Sequence, residues 1–163
     1  MMIIRKIQDT DWPAILAVQE RVYIDVPPEP LNVLQDKVRH SKGTCFVCLA
    51  GSRLVGYLLS HPWGEEKPPT LHQTLAPAYC DDYIFLHDLA IDSAQKGMGY
   101  GKALLAAFWD SIKAKKVNAV RLVAVQDSEG FWQRQGFQVK KGLSVAAGYG
   151  DSATLMERLH KSG

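Results

Sequence analysis

Apolar and polar residues along the chain follow two periods, and both predict regular structure. Short apolar runs predict β-strands, whereas apolar residues at i, i+3 and i+4 spacing predict amphipathic helices. The predicted strands cover residues 2–7, 45–50, 54–60, 83–91, 119–125, 137–141 and 153–159. One predicted helix begins after residue 10, and three others cover residues 31–40, 102–116 and 129–135. The resulting order, β-α-α-β-β-β-α-β-α-β-β, predicts a mixed α/β fold.

Local signals mark where several of these elements begin and end. Asp9 or Thr10 can cap the first helix. The pair Gly51-Ser52 separates two predicted strands, a spacing typical of a β-hairpin. Residues 61–80 are rich in proline and show no regular pattern. We therefore predict a long surface loop there, a kind of segment that often carries function.

Composition and charge narrow the class of protein. With 163 residues, 47% apolar and 22% charged, the chain can form one globular domain, 1–163, with a buried core. A formal net charge of +2 is too small to favour nucleic-acid binding through counterion release. No apolar run reaches the roughly 18 residues of a membrane span, and the amino terminus has no signal-peptide pattern. We therefore expect a cytoplasmic protein that binds neither nucleic acid nor a membrane.

The three cysteines, Cys45, Cys48 and Cys80, cannot form a complete disulfide framework. Cys45 and Cys48 spell C-x-x-C, but residues three apart on a strand point to opposite faces. We therefore expect two ordinary core thiols there, and Cys80 in a loop without a group to activate it. The histidines have no metal-ligand spacing, so no metal site is predicted.

A glycine-rich loop between the strand 83–91 and the helix 102–116 carries the strongest chemical signal. Gly97, Gly99 and Gly101 follow a G-x-G-x-G spacing. Glycines let a ligand approach the backbone, and the amides of a helix N-terminus favour anions, so the loop predicts a phosphate cradle. A P-loop would need glycine at residue 96 and serine or threonine at residue 103, but these residues are lysine and alanine. The dinucleotide-binding pattern would need glycine at residue 102, which is lysine. Both motifs are therefore excluded.

Three segments keep a recognisable order along the chain. They are the strand residues 85–92, the loop Lys96-Gly97-Met98-Gly99-Tyr100-Gly101, and the later segment Phe131-Trp132-Gln133-Arg134-Gln135-Gly136-Phe137. Together they resemble the motifs of the GNAT (GCN5-related) N-acetyltransferases, and residues 86–90 lean toward the arylalkylamine acetyltransferase branch. The resemblance implies a single domain with a mixed, mostly antiparallel central sheet flanked by helices. It also implies transfer of an acetyl group from acetyl-CoA to a primary amine by direct attack.

The resemblance also implies which residues contact acetyl-CoA. These are Leu89, Ala90, Ile91, Lys96, Gly97, Met98, Gly99, Tyr100, Gly101, Lys102, Ser128, Phe131 and Trp132. Lys96 stands where the family usually has arginine or glutamine, and it still offers a phosphate partner. Trp132 stands where many members have the tyrosine that protonates the leaving thiolate, a role that an indole cannot take. Tyr149, in a glycine-flanked loop, is the candidate replacement, although a CoA thiolate can also leave unaided.

His87 is the first candidate for the general base. It lies four residues before Ile91, where many family members carry a glutamate base, and an unperturbed imidazole titrates near neutral pH. The alternative is a buried histidine bonded to a backbone carbonyl. Asp88 is the second catalytic candidate, although a regular strand would turn it to the opposite face. A β-bulge of the kind found in the family would interrupt this alternation of faces.

The acceptor side of the family is built from the first two helices and the central loops. Here those segments carry Tyr23, Asp25, Glu29, Glu65, Glu66, Asp81 and Asp82, of which Tyr23, Asp25 and Asp82 are the predicted substrate-binding residues. Acidic and aromatic side chains would suit a small cationic amine, and solvated surface charge is the alternative. Two other functions stay open, a CoA-binding regulatory module and a protein lysine or N-terminal acetyltransferase. Many family members dimerise, so a homodimer is a candidate assembly.

Overall fold

The computed structural model describes residues 1–24, 27–64, 68–69, 83–95, 97–126, 128–140 and 153–160. Within them the strands are β1 (Met2–Lys6), β2 (Phe46–Ala50), β3 (Arg53–Trp63), β4 (Tyr83–Ile91), β5 (Ala119–Ala124), β6 (Gln138–Val139) and β7 (Thr154–Leu159). The α-helices are α1 (Trp12–Val22), α2 (Leu31–His40), α3 (Tyr100–Ile112) and α4 (Glu129–Arg134). This order confirms the one predicted from the sequence. Among these helices, none has the length and hydropathy that crossing a membrane requires.

The described strands form one seven-stranded sheet in the order β1-β2-β3-β4-β5-β7-β6. Neighbouring strands are antiparallel, except that β4 and β5 are parallel. A parallel pair needs a crossover connection, and α3 lies in that connection. The mixed, mostly antiparallel sheet flanked by helices is confirmed.

Helices cover both faces of this sheet. On one face α1 and α2 bury apolar side chains such as Ile15 and Leu34 against β2 and β3. On the other face α3 and α4 bury Leu104 and Trp132 against the same sheet. The apolar periodicity of each helix therefore turns one stripe toward the sheet, and burial of the two stripes is the main driving force for this arrangement.

Cys45 and Cys48 lie on opposite faces of the sheet, as the strand parity predicts. Cys45 packs in the α1 and α2 core, and Cys48 packs in the α3 and α4 core. Both are free thiols, and burial raises the pKa of each to about 11. Neither is therefore a nucleophile at neutral pH. Cys80 lies outside the described residues.

Several element boundaries differ from the prediction. β3 continues through Trp63 instead of ending at residue 60, because residues 61–63 pair with β4. α3 begins at Tyr100 rather than at residue 102, because Gly99 already acts as its N-cap. The predicted loop over residues 61–80 therefore begins only after β3, and most of it lies outside the described residues.

Gly56 lets β3 approach β4 closely. A Cβ atom at this position would lie 2.5 Å from Ile91 Cδ1 and 2.8 Å from the backbone oxygen of Ala90. We expect Gly56→Ala to lower the free energy of unfolding by about 1–3 kcal/mol, the usual cost of overpacking. Urea denaturation measures this change.

Gly130→Ala in α4 is the matched control for that prediction. Its Cβ would meet only the flexible end of Arg134, at 3.6 Å. Alanine favours a helix interior over glycine by about 1 kcal/mol, so this variant should be at least as stable as the wild type. A Gly56→Ala protein as stable as Gly130→Ala would show that β3 and β4 are not tightly packed at Ile91.

Candidate active site

A cavity of about 620 Å³ opens between the C-terminal end of α1, the middle of the sheet and the N-terminal end of α3. This volume lies within the range of small-molecule and cofactor sites. Residues of β4, of β5, of the glycine loop and of α4 line it. The cavity therefore brings together segments that are far apart in the sequence.

The two parallel strands at the centre of the sheet part beside this cavity. Their pairing covers only three residue pairs, from Tyr83 with Ala119 to Phe85 with Arg121, although β4 continues to Ile91. Beyond that point side chains of both strands line the cavity. An extended ligand that enters between two parted strands can bond to their backbone groups as an added strand would.

The glycine loop adopts a backbone conformation that side chains disfavour. Gly97 has a φ of +84° and Gly99 a φ of +83°, and Gly99 is the N-cap of α3. A Cβ atom added at either glycine would meet none of the described residues within 4 Å, so among them the space beside the loop is open. The first-turn amides of α3 begin at this open space, which is the geometry of an anion-binding helix terminus.

Most of the predicted cofactor-binding residues line this one cavity. They are Leu89, Ile91, Gly97, Gly99, Tyr100, Gly101, Lys102, Ser128, Phe131 and Trp132. Ala90 instead packs in the α1 and α2 core, and Met98 is 64% exposed. Trp132 is buried edge-on against Phe131 and Phe137. Its indole therefore forms part of the cavity wall at the position where a tyrosine would stand.

A β-bulge turns His87 and Asp88 toward the same face of the sheet. The register pairs Leu59 with Asp88 but Ser60 with Leu86, which leaves His87 as the extra residue in β4. A bulge of this kind re-aims side chains, and bulges are common beside active sites. The regular-strand expectation that Asp88 faces away from His87 is therefore wrong, and both side chains contribute to the cavity.

His87 is held by a buried ion pair. Its Nε2 contacts Glu29 Oε1 and lies 3.2 Å from Lys37 Nζ, and Lys37 donates a hydrogen bond of 2.8 Å to Glu29 Oε2. Its Nδ1 has no hydrogen-bond partner within the described ranges. The alternative of a core histidine bonded to a backbone carbonyl does not describe this ring.

Asp88 is held by two tyrosine hydroxyls. Tyr57 donates to Asp88 Oδ2 at 2.6 Å, and Tyr23 donates to Asp88 Oδ1. Burial raises the pKa of Asp88, although His87 and the two hydroxyls oppose this effect. Burial also raises the pKa of both tyrosines well above 10, so both keep their protons. Asp88 is therefore a fixed acceptor beside the cavity.

Charges within the buried cluster oppose one another. Burial by itself raises the pKa of Glu29, but His87 and Lys37 together hold it well below its usual range. Burial lowers the pKa of Lys37, and Glu29 counteracts this effect. Glu29 is therefore ionised at neutral pH, and His87 and Lys37 each contact one of its oxygens.

Polar links also fix the end of α1 across the cavity. The Gln126 side chain accepts a hydrogen bond from the amide of Ile24 and donates one to the carbonyl of Val22, both at 3.0 Å. Arg21 and Arg53 bond to Asp92 at 2.8 and 3.1 Å. These links hold Tyr23, at the end of α1, over the β4 bulge.

His61 lies behind His87 and is fully buried. Its Nδ1 lies 2.9 Å from the oxygen of Pro62, and burial lowers its pKa to about 3. An unfolded histidine titrates near pH 6.5, so unfolding takes up a proton between about pH 6.5 and 3. The stability that neutral His61 contributes is therefore present above pH 6.5 and is lost as the pH falls.

This titration predicts a specific acid sensitivity. Between about pH 6 and 3, His61 should lower the free energy of unfolding by about 1.4 kcal/mol for each pH unit. In His61→Phe, which keeps a ring between Trp63 and Phe85, that part of the slope should disappear. Urea denaturation at a series of pH values measures both slopes, and parallel curves would contradict the assignment.

Sequence reasoning missed two members of the cluster, Lys37 and Tyr57. Lys37 follows Val33 and Leu34 at helical spacing, so the apolar stripe of α2 already placed it on the buried side. Nothing in the sequence pairs Tyr57 with Asp88, because that contact depends on the sheet register. Lys96, Tyr149, Asp25 and Asp82 lie outside the described residues, and their proposed roles stay predictions.

Comparison with known proteins points to one family. The sequence matches the family model described as the acetyltransferase (GNAT) family over residues 4–137. No curated protein sequence is significantly similar to the chain.

Solved structures share the fold over nearly the whole chain. The loading GNATL domain of CurA from Lyngbya majuscula is 12% identical, with a TM-score of 0.79 and 98% of each chain covered. Ard1 from Thermoplasma volcanium is 18% identical, with a TM-score of 0.76 and 97% of each chain covered. The PaiA N-acetyltransferase from Thermoplasma acidophilum, solved in complex with coenzyme A, is 17% identical, with a TM-score of 0.70 and 98% of this chain and 99% of that chain covered.

Identities this low establish a shared fold, whereas the family match rests on the sequence itself and covers most of it. The match includes the glycine loop, the parted strands and the bulge of β4. The chain therefore belongs to the acetyltransferase (GNAT) family, the acetyl-CoA-dependent N-acetyltransferases.

Proposed function

We propose that this enzyme transfers the acetyl group of acetyl-CoA to the primary amine of a small cationic molecule. The observation that carries the proposal is the cavity itself. It joins the glycine loop and the parted strands to a buried polar end that contains Glu29, His87 and Asp88. The first part fits a phosphate-bearing, extended cosubstrate, and the second fits an amine.

The residues around the loop fit acetyl-CoA on physical grounds. The open space beside Gly97 and Gly99 and the start of α3 suit phosphate groups. The edges of β4 and β5 suit a pantetheine chain, which carries amide groups. When bound, acetyl-CoA supplies the activated acetyl group, and the residues of this chain supply position and proton transfer.

Charge at the polar end favours a cationic acceptor. Glu29 and Asp88 carry two negative charges when ionised, and Lys37 carries one positive charge, which leaves one negative charge with His87 neutral. A primary ammonium would balance that charge, and Tyr23 offers an aromatic surface beside it. The likeness of residues 86–90 to arylalkylamine acetyltransferases supports the same acceptor class.

His87 accepts the proton that the amine must lose. A protonated amine has no lone pair for attack, so transfer of its proton to Nδ1 of His87, directly or through one water, exposes the nucleophile. The nitrogen lone pair then attacks the thioester carbon, the carbon–sulfur bond breaks and its electron pair leaves with the CoA sulfur as a thiolate. The nitrogen gives up its second proton to solvent as the amide forms. Trp132 takes no part in this proton transfer, and the thiolate leaves unaided.

A panel of acceptors tests the proposed function. Wild-type enzyme with acetyl-CoA is assayed for thiol release with a small arylalkylamine, an aliphatic diamine and a short peptide with an unblocked amino terminus. We expect kcat/KM for the best small amine to exceed that for the peptide by at least about tenfold, which corresponds to about 1.4 kcal/mol of discrimination. A tertiary amine of the same skeleton should inhibit without releasing thiol, because it keeps the charge but cannot form a stable amide.

The other outcomes assign other functions. A peptide acceptor preferred over every small amine would make the protein an N-terminal acetyltransferase. Binding of acetyl-CoA without turnover on any acceptor would favour a regulatory CoA-binding module, the role that Trp132 in place of a tyrosine first suggested.

A further inference from the structure

Two charged side chains from outside β4 converge on the ring of His87. Glu29 lies just before α2 and Lys37 lies within it, and both contact Nε2 of His87. The exposed fractions of the Glu29, Lys37 and His87 side chains are 5%, 1% and 2%. A buried ion pair costs desolvation free energy and is weak evidence for stability, so this pair requires another explanation.

The chemistry of the contacts fixes the tautomer of His87. Ionised Glu29 can only accept hydrogen bonds, and Lys37 can only donate them. Nε2 lies closer to Glu29 Oε1 than to Lys37 Nζ, which is 3.2 Å away and already donates to Glu29 Oε2, so we assign the proton to Nε2. The lone pair of a neutral ring then lies on Nδ1, the ring nitrogen that has no partner among the residues that the structure describes.

Glu29 is itself fixed in place. The Gln19 side-chain amide donates to the Glu29 backbone oxygen at 3.2 Å and accepts from the Glu29 backbone nitrogen at 3.1 Å. This pair of bonds ties the segment before α2 to α1. The carboxylate therefore approaches His87 from a fixed backbone.

We propose that Glu29 and Lys37 are positioning residues that hold His87 with Nε2 protonated, so that Nδ1, which has no partner among the described residues, is the ring atom that can accept a proton. This inference rests on the proposed function. Glu29 orients the ring and faces the imidazolium that forms when His87 takes up a proton. Lys37 donates a hydrogen bond to the other oxygen of Glu29 and offsets its charge.

Other ionisable groups also surround His87, and they are the same in every variant used below. Asp88 follows it on β4, and His61 lies across the sheet on β3 with its ring centroid 6.2 Å away. Tyr23 at the end of α1 and Tyr57 of β3 bond to Asp88. Because none of these is altered, changes at Glu29 and Lys37 report on the ion pair alone.

The two single variants should move the pH profile in opposite directions. In Glu29→Gln the charge of Lys37 is uncompensated and disfavours proton uptake by the His87 ring. The acid limb of the pH profile, where kcat/KM falls as the pH drops, should therefore move to lower pH by about 1–3 units. In Lys37→Met the charge of Glu29 is uncompensated, so the limb should move to higher pH by about as much. Arg39→Met, which removes an exposed cation from the same helix, should leave the limb unchanged.

A double variant protects the test against misfolding. Removing one member of a buried pair leaves the other unpaired and is strongly destabilising, whereas Glu29→Gln with Lys37→Met removes both charges of the pair. The double variant should fold, bind acetyl-CoA as the wild type does, have an acid limb between those of the single variants, and have a lower kcat/KM than the wild type because nothing orients the ring. Limbs that move in the same direction in the two single variants, or a double variant with the wild-type kcat/KM, would overturn the proposal.

Nitrogen NMR of the His87 ring tests the proposal without any turnover. Long-range proton–nitrogen correlation, assigned by the signal lost in His87→Ala, should show protonated Nε2 and unprotonated Nδ1 in the wild type. The double variant should lose this single tautomer. A wild-type ring protonated at Nδ1 would overturn the proposal even if amine acetylation is confirmed. If the ring shows the expected tautomer but the protein acetylates no acceptor, the proposed function fails while the positioning of His87 stands.

Discussion

His87→Ala should lower kcat/KM for amine acetylation by about 10²–10⁴-fold, the usual contribution of a general base. The reason is that His87 lines the cavity and that its Nδ1 has no partner among the described residues, whereas its other ring nitrogen is already engaged by Glu29. The loss should be concentrated in kcat/KM near neutral pH, and it should diminish at high pH, where the amine deprotonates in solution. Steady-state thiol release over a range of pH measures both effects.

The binding of acetyl-CoA should survive this substitution. The glycine loop and the parted strands do not involve the His87 side chain, and the Glu29–Lys37 ion pair stays balanced when the ring is removed. His160→Ala is the matched control, because its ring contacts only the carbonyl of Ile112 among the described residues. Wild-type turnover in His87→Ala would remove His87 from the mechanism.

Gly99→Val should abolish tight binding of acetyl-CoA. With a φ of +83°, this residue needs a conformation that a β-branched side chain disfavours, which lowers the stability of the loop by about 1–3 kcal/mol. The new methyl groups would also occupy the open space at the start of α3. Calorimetric titration with acetyl-CoA measures the loss.

Gly51→Val separates backbone strain from loss of the binding site. Gly51 has a φ of +62° in the turn between β2 and β3, and a Cβ atom there would also meet nothing within 4 Å. Both variants should lose similar stability, but Gly51→Val should keep wild-type affinity for acetyl-CoA. Equal affinities in the two variants would show that the glycine loop is not the phosphate cradle.

The sequence was most informative where one local signal sufficed. Apolar periodicity predicted α2 at its observed bounds, Leu31–His40, because a buried stripe is a local property of the helix. The glycine spacing predicted a cradle at the start of α3, because the positive φ values of Gly97 and Gly99 favour glycine at those residues. Both predictions concern residues that are neighbours in the chain.

The sequence was least informative where the register between strands decides the outcome. The bulge at His87 depends on how β3 pairs with β4, and without it Asp88 would face the other side of the sheet. The approach of Lys37 and Glu29 to that bulge depends on how α2 packs against the sheet. The sequence could therefore single out His87 as a candidate base but could not show what holds it.

A crystal structure with a bisubstrate conjugate, in which an acetyl bridge joins CoA to the best amine of the panel, tests the central claim most directly. We predict that the pantetheine chain lies between β4 and β5, and that the amine nitrogen lies within hydrogen-bond distance of Nδ1 of His87 or one water away from it. An amine nitrogen bound on the far side of the thioester from His87 and Asp88 would contradict the account.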